Sequence, residues 1–219
     1  MSSPMPPSVV PRACNRRMAN GCKPSTIPPP LSPPQTDRSL QRMKTDYIDI
    51  MQLHSPSYDD LMNGDGIEGL KKAQEQGKIR DVSLSADDDA AVQAVEMGEF
   101  DTLQISYKLL ESEPSSIIRA AREKDMGIII KEPLAQVAYE QPRPEGKADR
   151  WERAQKRLAP EVIGDLPRVE ANLRWLLNDT DVHTAIVGTT NLEHLKDNIA
   201  SAQRGPLPDD VYAAISAVG

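Results

Sequence analysis

Short apolar runs alternate with amphipathic segments along the chain after residue 36. The runs are rich in Ile, Val and Leu, which favour buried strands, while the segments between them carry apolar residues at helical spacing. The pattern predicts strands at residues 47–53, 79–84, 102–106, 126–130 and 183–187. It predicts helices at residues 37–43, 61–76, 87–97, 114–124, 149–158, 168–178, 192–202 and 209–217. Short strands alternating with helices are typical of parallel βα units.

The number of predicted strands limits the architecture. A complete (β/α)8 barrel has eight strands and about 250 residues. Five strands therefore predict an α/β fold that is a partial TIM (β/α)8 barrel, with parallel strands and outer helices. Two open sheet edges then predict one of three outcomes: marginal stability, self-association through those edges, or a barrel segment that the recorded start of the chain leaves out.

The first 36 residues have a different composition. They hold 10 of the 19 prolines, and they contain four basic residues and no acidic one. Proline lacks the amide N–H and fixes φ, so such a stretch forms neither helix nor sheet ladders. We predict a disordered Pro-rich tail at residues 1–37 and a barrel-like domain at residues 38–219. A linker or a mis-assigned start is favoured over a targeting segment, because the prolines disrupt the amphipathic helix of a transit peptide.

Charge and cysteine usage exclude several classes of protein. The net charge is −7, which argues against a nucleic-acid-binding surface. No apolar run approaches the roughly 18 residues that a membrane-spanning helix needs. Cys14 and Cys22 form no CxxC pair and the three histidines are far apart, so neither a disulfide framework nor a metal site is expected. We predict a cytoplasmic protein.

Polar residues at the strand ends are the candidates for chemistry, because the active site of a βα barrel lies at the C-terminal ends of its strands. His54 ends the first strand, Ser85 follows the second, and Lys131 follows the fourth. Gln104 lies within the third strand, where a polar side chain needs a partner. Ser85 and Asp88 also have capping-box spacing, so Ser85 has the alternative role of starting a helix.

The run AIVGTTNLEHLKDNIA passes from the fifth strand through a loop into a helix. Thr190 and Glu193 have the spacing of a capping box, which places the helix start in this loop. Gly188 allows a ligand to approach the backbone, and the helix N-terminus favours an anion. An ordinary capped helix is the alternative interpretation.

Three runs carry a resemblance to a known family: TDYIDIMQLHSP, GKIRDVSLS and HTAIVGTTNLEHLKDNIA. From about residue 39 to the C-terminus the chain resembles the last five strand–helix units of the aldo-keto reductases. The resemblance implies NAD(P)H-dependent reduction of a small carbonyl compound, an aldehyde or a ketone, to an alcohol. It implies NADP as the cofactor, with NAD as the alternative.

The resemblance also implies roles for residues at the strand ends. His54 would orient the substrate carbonyl. Ser85 and Gln104 would bind the nicotinamide carboxamide, although Ala86 replaces a usual asparagine. Lys131 stands where many members have an aromatic residue that stacks on the nicotinamide. It is expected to pair with Glu132 or with a phosphate instead.

The fifth strand and the helix after it would bind the phosphate and adenine of the dinucleotide. The residues implied in this part of the site are Gly188, Thr189, Thr190, His194, Asp197 and Asn198. Gly188 and His194 replace a common lysine and a common arginine, which weakens the case for a 2′-phosphate.

The family's general acid is a tyrosine, assisted by a lysine and an aspartate, all on early strands that precede the matching segment. None of the tyrosines stands in that context; they are Tyr47, Tyr58, Tyr107, Tyr139 and Tyr212. The sequence therefore predicts a truncated reductase with impaired catalysis. The alternatives are a non-catalytic nucleotide-binding or regulatory remnant of the family and a fragment with no function.

Overall fold

The computed structural model describes residues 33–107, 109, 114–134 and 148–218 of the chain. Its strands are β1 (Ile48–His54), β2 (Ile79–Ser85), β3 (Thr102–Ser106), β4 (Gly127–Lys131) and β5 (Thr184–Ala185). They form one sheet in the order β1-β2-β3-β4-β5, and every neighbouring pair is parallel. Chain order that equals sheet order is the arrangement of consecutive βα units. The predicted parallel sheet of five strands is thus confirmed.

Helices connect the strands and cover one face of the sheet. In the described part of the chain they are α1 (Pro33–Met43), α2 (Tyr58–Asn63), α3 (Asp65–Glu75), α4 (Asp88–Met97), α5 (Pro114–Glu123), α6 (Ala148–Arg157), α7 (Pro160–Ile163), α8 (Arg168–Leu177), α9 (Leu192–Gln203) and α10 (Asp209–Ala217). None of these helices has the length and apolar character needed to cross a membrane.

The core is aliphatic and lies between the sheet and its helices. Side chains on β4 illustrate the arrangement, since Ile128 and Ile130 are fully buried while Ile129 between them is partly exposed. Alternation of this kind means that one face of the strand packs under helices and the other faces the inner side of the sheet. Leu70 of α3 and Leu103 of β3 belong to the same buried cluster.

Several elements differ from the predicted ones; β5, for example, covers only Thr184–Ala185 of the predicted residues 183–187. The segment at 61–76 is divided because Gly64 is left-handed (φ 78°), which ends α2 and leads directly into α3. Helix α2 begins early because Ser57 and Asp60 form a capping box. Helix α1 begins at Pro33 rather than residue 37, and α7 was not predicted. Residues 1–32 lie outside the described part of the chain, so the predicted disordered tail stays a prediction.

Apolar side chains are exposed at both edges of the sheet and on the helix α9 beside one of them. On α9, Leu192, Leu195 and Ile199 are 67%, 42% and 50% exposed and lie on one side of the helix, at i, i+3 and i+7. Ile186, directly after β5, is 50% exposed, and Ile50 of β1 at the opposite edge is 39% exposed. We call Leu192, Leu195 and Ile199 the α9 stripe.

Candidate functional site

The carboxyl ends of neighbouring strands bring the predicted site residues into adjacent positions. In the sheet register His54 of β1 lies beside Ser85 of β2, and Ser85 lies beside Gln104 of β3. Lys131 of β4 lies beside Ser106 of β3. His54 is the last residue of β1, and its side chain is exposed. The amide of Ser55, the next residue, donates to the carbonyl of Ser85 at 2.8 Å.

A chain of hydrogen bonds joins side chains across β1, β2 and β3. Gln52 Nε2 donates to Gln104 Oε1 and to Ser83 Oγ, both at 3.2 Å, and Gln104 Nε2 donates to Ser85 Oγ at 3.0 Å. Gln104 is 9% exposed and Ser85 is fully buried. The partner that a buried glutamine requires is therefore supplied by the protein itself. Sequence reasoning did not select Gln52, although it lies two residues before His54 and shares its side of the strand.

Ser85 does not cap the following helix. It lies within β2, and the N-cap position of α4 is Asp87. Its hydroxyl accepts from Gln104, so its own proton remains for a further acceptor. The alternative that Ser85 merely starts a helix is therefore wrong.

Lys131 forms an ion pair that the sequence did not indicate. Its ammonium lies 3.0 Å from Asp87 Oδ2, so the expected pairing with Glu132 is corrected to a long-range pair with Asp87. The backbone amide of Ser106 also donates to Asp87, at 2.8 Å. Burial raises the pKa of Asp87, but the Ser106 amide and the Lys131 ammonium together outweigh it, and the pKa lies below its ordinary value. The pair is consequently charged at neutral pH, and its stabilising contribution is lost only in strong acid, as the pH falls through that lowered pKa.

A cleft of about 420 Å³ lies between α8 and α9. The residues predicted to bind the adenine and phosphate of a dinucleotide that line this cleft are Gly188, Thr189, His194, Asp197 and Asn198. Thr190 lies in an adjoining open depression that shares Gly188, Thr189 and His194 with the cleft. The fold thus brings this whole group of predicted residues together on one surface.

The start of α9 is corrected by one residue. Asn191 is the N-cap, and its Oδ1 accepts from the amide of Glu193 at 3.0 Å, so the predicted capping role of Thr190 is wrong. Thr189 Oγ1 accepts from the amide of Asn191 at 3.1 Å and orders the loop before the helix. A Cβ at Gly188 would meet nothing within 4 Å, so the space in front of this backbone is open.

Asn198 is the most distinctive residue of the cleft. It is only 7% exposed, yet no hydrogen bond of its amide is found among the described residues. An amide that is not paired within the protein remains able to bond to water or to a ligand. Its place in the cleft wall therefore marks a point at which a bound molecule would meet a hydrogen-bonding group.

A buried ionic network forms part of the same wall. Glu170 of α8 is 2% exposed and accepts from Arg174 Nη1 at 2.8 Å and from Arg204 Nη1. Sequence reasoning missed Glu170 and Arg204, because they lie on different helices and only folding brings them together. The i, i+4 spacing of Glu170 and Arg174 was the available signal.

Three of the described tyrosines, Tyr47, Tyr107 and Tyr212, make structural contacts. Burial and then the charge and hydrogen bond of Asp179 raise the pKa of Tyr107. Trp175 packs against Tyr107 and Tyr212, at ring-centroid distances of 5.7 and 6.3 Å. The guanidinium of Arg80 covers Tyr47, 4.0 Å from its ring centroid.

The other two tyrosines do not join these clusters. Tyr58 is 50% exposed at the start of α2. Tyr139 lies outside the described residues. In the described part of the chain no group of three or more His, Cys, Asp or Glu side chains could hold a metal ion.

Comparison with known proteins gives a consistent result. The model of the Aldo/keto reductase family matches residues 33–219. A curated relative, the uncharacterized oxidoreductase YqkF of Bacillus subtilis (strain 168), is 24% identical over 191 residues, covering 81% of this chain and 62% of the relative.

Solved structures share the fold. The holo form of aldo-keto reductase AKR11C1 from Bacillus halodurans superposes with a TM-score of 0.72 at 23% identity, covering 84% of this chain and 65% of that one. The thermostable aldo-keto reductase Tm1743 in complex with the inhibitor epalrestat gives a TM-score of 0.65 at 17% identity, covering 85% and 65%. At this identity the likeness concerns the fold alone. The chain spans just under two thirds of the length of the relatives it matches.

Proposed function

Because this chain belongs to the aldo/keto reductase family, we propose that it binds a nicotinamide dinucleotide, NADP with NAD as the alternative, and reduces a small carbonyl compound to an alcohol. The adenosine and its phosphates would occupy the α8–α9 cleft. The nicotinamide would lie over the carboxyl ends of β1 to β4.

The single observation that carries the binding proposal is Asn198 in the cleft wall, a residue only 7% exposed whose amide has no hydrogen bond among the described residues and reaches the cleft. An amide offers both a donor and an acceptor, which matches the polar edge of an adenine. Thr189 and the open backbone at Gly188 would face the phosphate side of the same ligand. The cleft volume of about 420 Å³ is in the range typical of small-molecule sites.

At the carboxyl ends of the strands, some hydrogen-bonding groups are not fully used within the protein and could bind the nicotinamide half of the cofactor. Gln104 would bind the carboxamide, because the second lone pair of its Oε1 can accept from the carboxamide nitrogen, while the fully buried Ser85 would hold Gln104 in place through its hydroxyl. Lys131, paired with Asp87, would border the ring. His54 would orient the carbonyl by donating to its oxygen, and a nicotinamide held beside it would supply the hydride for the carbonyl carbon.

The proton that completes the alcohol must come from a general acid. Among the described tyrosines, Tyr107, Tyr212 and Tyr47 are engaged in the ring and charge contacts described above, which leaves the exposed Tyr58 outside them. These contacts favour a second candidate function, a non-catalytic nucleotide-binding or regulatory member of the family. They also support impaired catalysis if turnover occurs.

Titration of the purified chain with NADPH and NADH, by calorimetry, tests the binding proposal. Replacing Asn198 by Ala should weaken dinucleotide binding about tenfold, because one hydrogen-bonding group in a desolvated site is lost. Asn63→Ala, an exposed asparagine at the end of α2, is the matched control and should leave binding unchanged. Equal affinities in all three proteins would exclude the cleft as the site.

Assays with a panel of aldehydes and ketones then separate the two candidate functions. Turnover that falls in His54→Ala, with NADPH affinity unchanged, is expected of the reductase. Saturable dinucleotide binding without any turnover would support the non-catalytic alternative.

The exposed apolar side chains support a third proposal, self-association through the outer parts of the sheet. Ile186 and the α9 stripe would lose contact with water on association, which is favourable. Sedimentation velocity should show oligomers whose fraction grows with concentration, and Leu195→Glu should reduce that fraction. A monomer at every concentration would contradict this proposal.

Two further assignments stay proposals. The low number of cysteines supports a cytoplasmic protein. The composition of residues 1–37 supports a disordered tail before a barrel-like domain at residues 38–219.

A further inference from the structure

A cluster of three charged side chains lies at one wall of the α8–α9 cleft. The Glu170 carboxylate lies between two guanidinium groups, those of Arg174 and Arg204. Two cations on one buried anion leave one net positive charge in this cluster. Glu170 and Arg204 both line the cleft, so the guanidinium of Arg204 is the cation of this cluster that a ligand can meet.

The two arginines are engaged to different degrees. Arg174 is 8% exposed and uses three nitrogens within the protein: Nη1 to Glu170, Nε to the carbonyl of Gly205 at 2.9 Å, and Nη2 to the carbonyl of Pro206. The side chain of Arg204 is 57% exposed, and within the described residues its guanidinium bonds only through Nη1. Nε and Nη2 of Arg204 therefore remain for a ligand.

Such a guanidinium suits a phosphate group. Arginine presents donors in a planar fork that matches phosphate oxygens, and a side chain already held in place loses less freedom on binding. The other charged and titratable groups that line the cleft are Asp197 and His194. The exposed Asp197 carboxylate lies about two helical turns before Arg204 and offsets the net charge of the cluster, so the attraction for a phosphate is local to the Arg204 guanidinium.

We propose that Arg204, held by Glu170, recognises the 2′-phosphate of NADP and makes this cleft selective for NADPH over NADH. The proposal rests on the proposed function, because it requires that the cleft binds the adenosine end of a dinucleotide. It assigns selectivity to a residue at the end of α9, well separated along the helix from the loop at residues 188–191.

Affinities of the full chain for two matched pairs of ligands test this assignment. The pairs are NADPH with NADH, and adenosine 2′,5′-bisphosphate with adenosine 5′-monophosphate. Arg204→Ala should weaken the members that carry a 2′-phosphate about tenfold and change the others less than about twofold. Arg204→Lys should lie between, because lysine retains the charge without the fork.

Lys196→Ala is the control for a general loss of positive charge. Lys196 lies on the same helix, is 65% exposed and pairs with Glu193 at 2.8 Å, and it does not line the cleft. Unchanged selectivity in this variant, beside lost selectivity in Arg204→Ala, is the expected result.

The outcomes distinguish this proposal from the one it rests on. If the unaltered chain binds NADH and NADPH but Arg204→Ala weakens both equally or neither, the role of Arg204 is overturned and the cleft assignment survives. If no dinucleotide binds to a folded chain, the proposed function fails first. Should Arg204→Ala not fold, the unaltered chain still decides: the affinity difference between the two adenosine phosphates should shrink as salt rises, and a salt-independent difference overturns the proposal.

Discussion

Replacing Glu170 by Ala is expected to lower the free energy of unfolding by about 3–5 kcal/mol. Glu170 is 2% exposed, and its removal leaves the buried guanidinium of Arg174 without its counter-ion. The loss would also release Arg204 from the cleft wall. Urea unfolding at neutral pH measures the change.

The exposed ion pair of Glu193 and Lys196 gives the matched control. Its side chains are 72% and 65% exposed at a separation of 2.8 Å, so Glu193→Ala should cost less than about 1 kcal/mol. Similar losses in the two variants would mean that the Glu170 network is not desolvated as described.

Truncation of Ile130 to Ala is expected to cost about 2–5 kcal/mol, because the fully buried side chain would leave a cavity beneath the helices. Ile186 offers a close comparison, since its amide donates to the carbonyl of Ile130 at 2.9 Å. Its side chain is 50% exposed, so Ile186→Ala should cost less than about 1 kcal/mol. Thermal or urea unfolding of the two variants makes the comparison, and a large effect at Ile186 would show that this face is covered in solution.

The elements of the fold were largely predictable, because local patterns determine them. Strands rich in branched apolar residues, such as Gly127–Lys131, were located to within a residue. Gly98 was correctly placed as the residue that ends α4, where its left-handed conformation (φ 68°) accommodates the C-cap.

The errors occur where two local signals compete. Thr190 and Asn191 are both suitable N-cap residues. The sequence does not show which of the two side-chain oxygens accepts from a backbone amide in the first turn of the helix. Gly64 was read as part of one long helix because the apolar periodicity continues on both sides of it.

The site was predictable in its positions but not in its contacts. His54, Ser85 and Gln104 lie at neighbouring strand ends because parallel strands place their carboxyl ends together. The pairs Lys131 with Asp87 and Glu170 with Arg204 join residues that are far apart in sequence. Their partners depend on how loops and helices pack, which no spacing rule provides.

The most direct test of the account is backbone hydrogen exchange of the full chain with and without saturating NADPH. Binding in the α8–α9 cleft predicts slower exchange at residues 188–201, with α3 unchanged as an internal reference. Saturable NADPH binding that protects other segments, and leaves residues 188–201 unaffected, would contradict the assignment of this cleft to the cofactor.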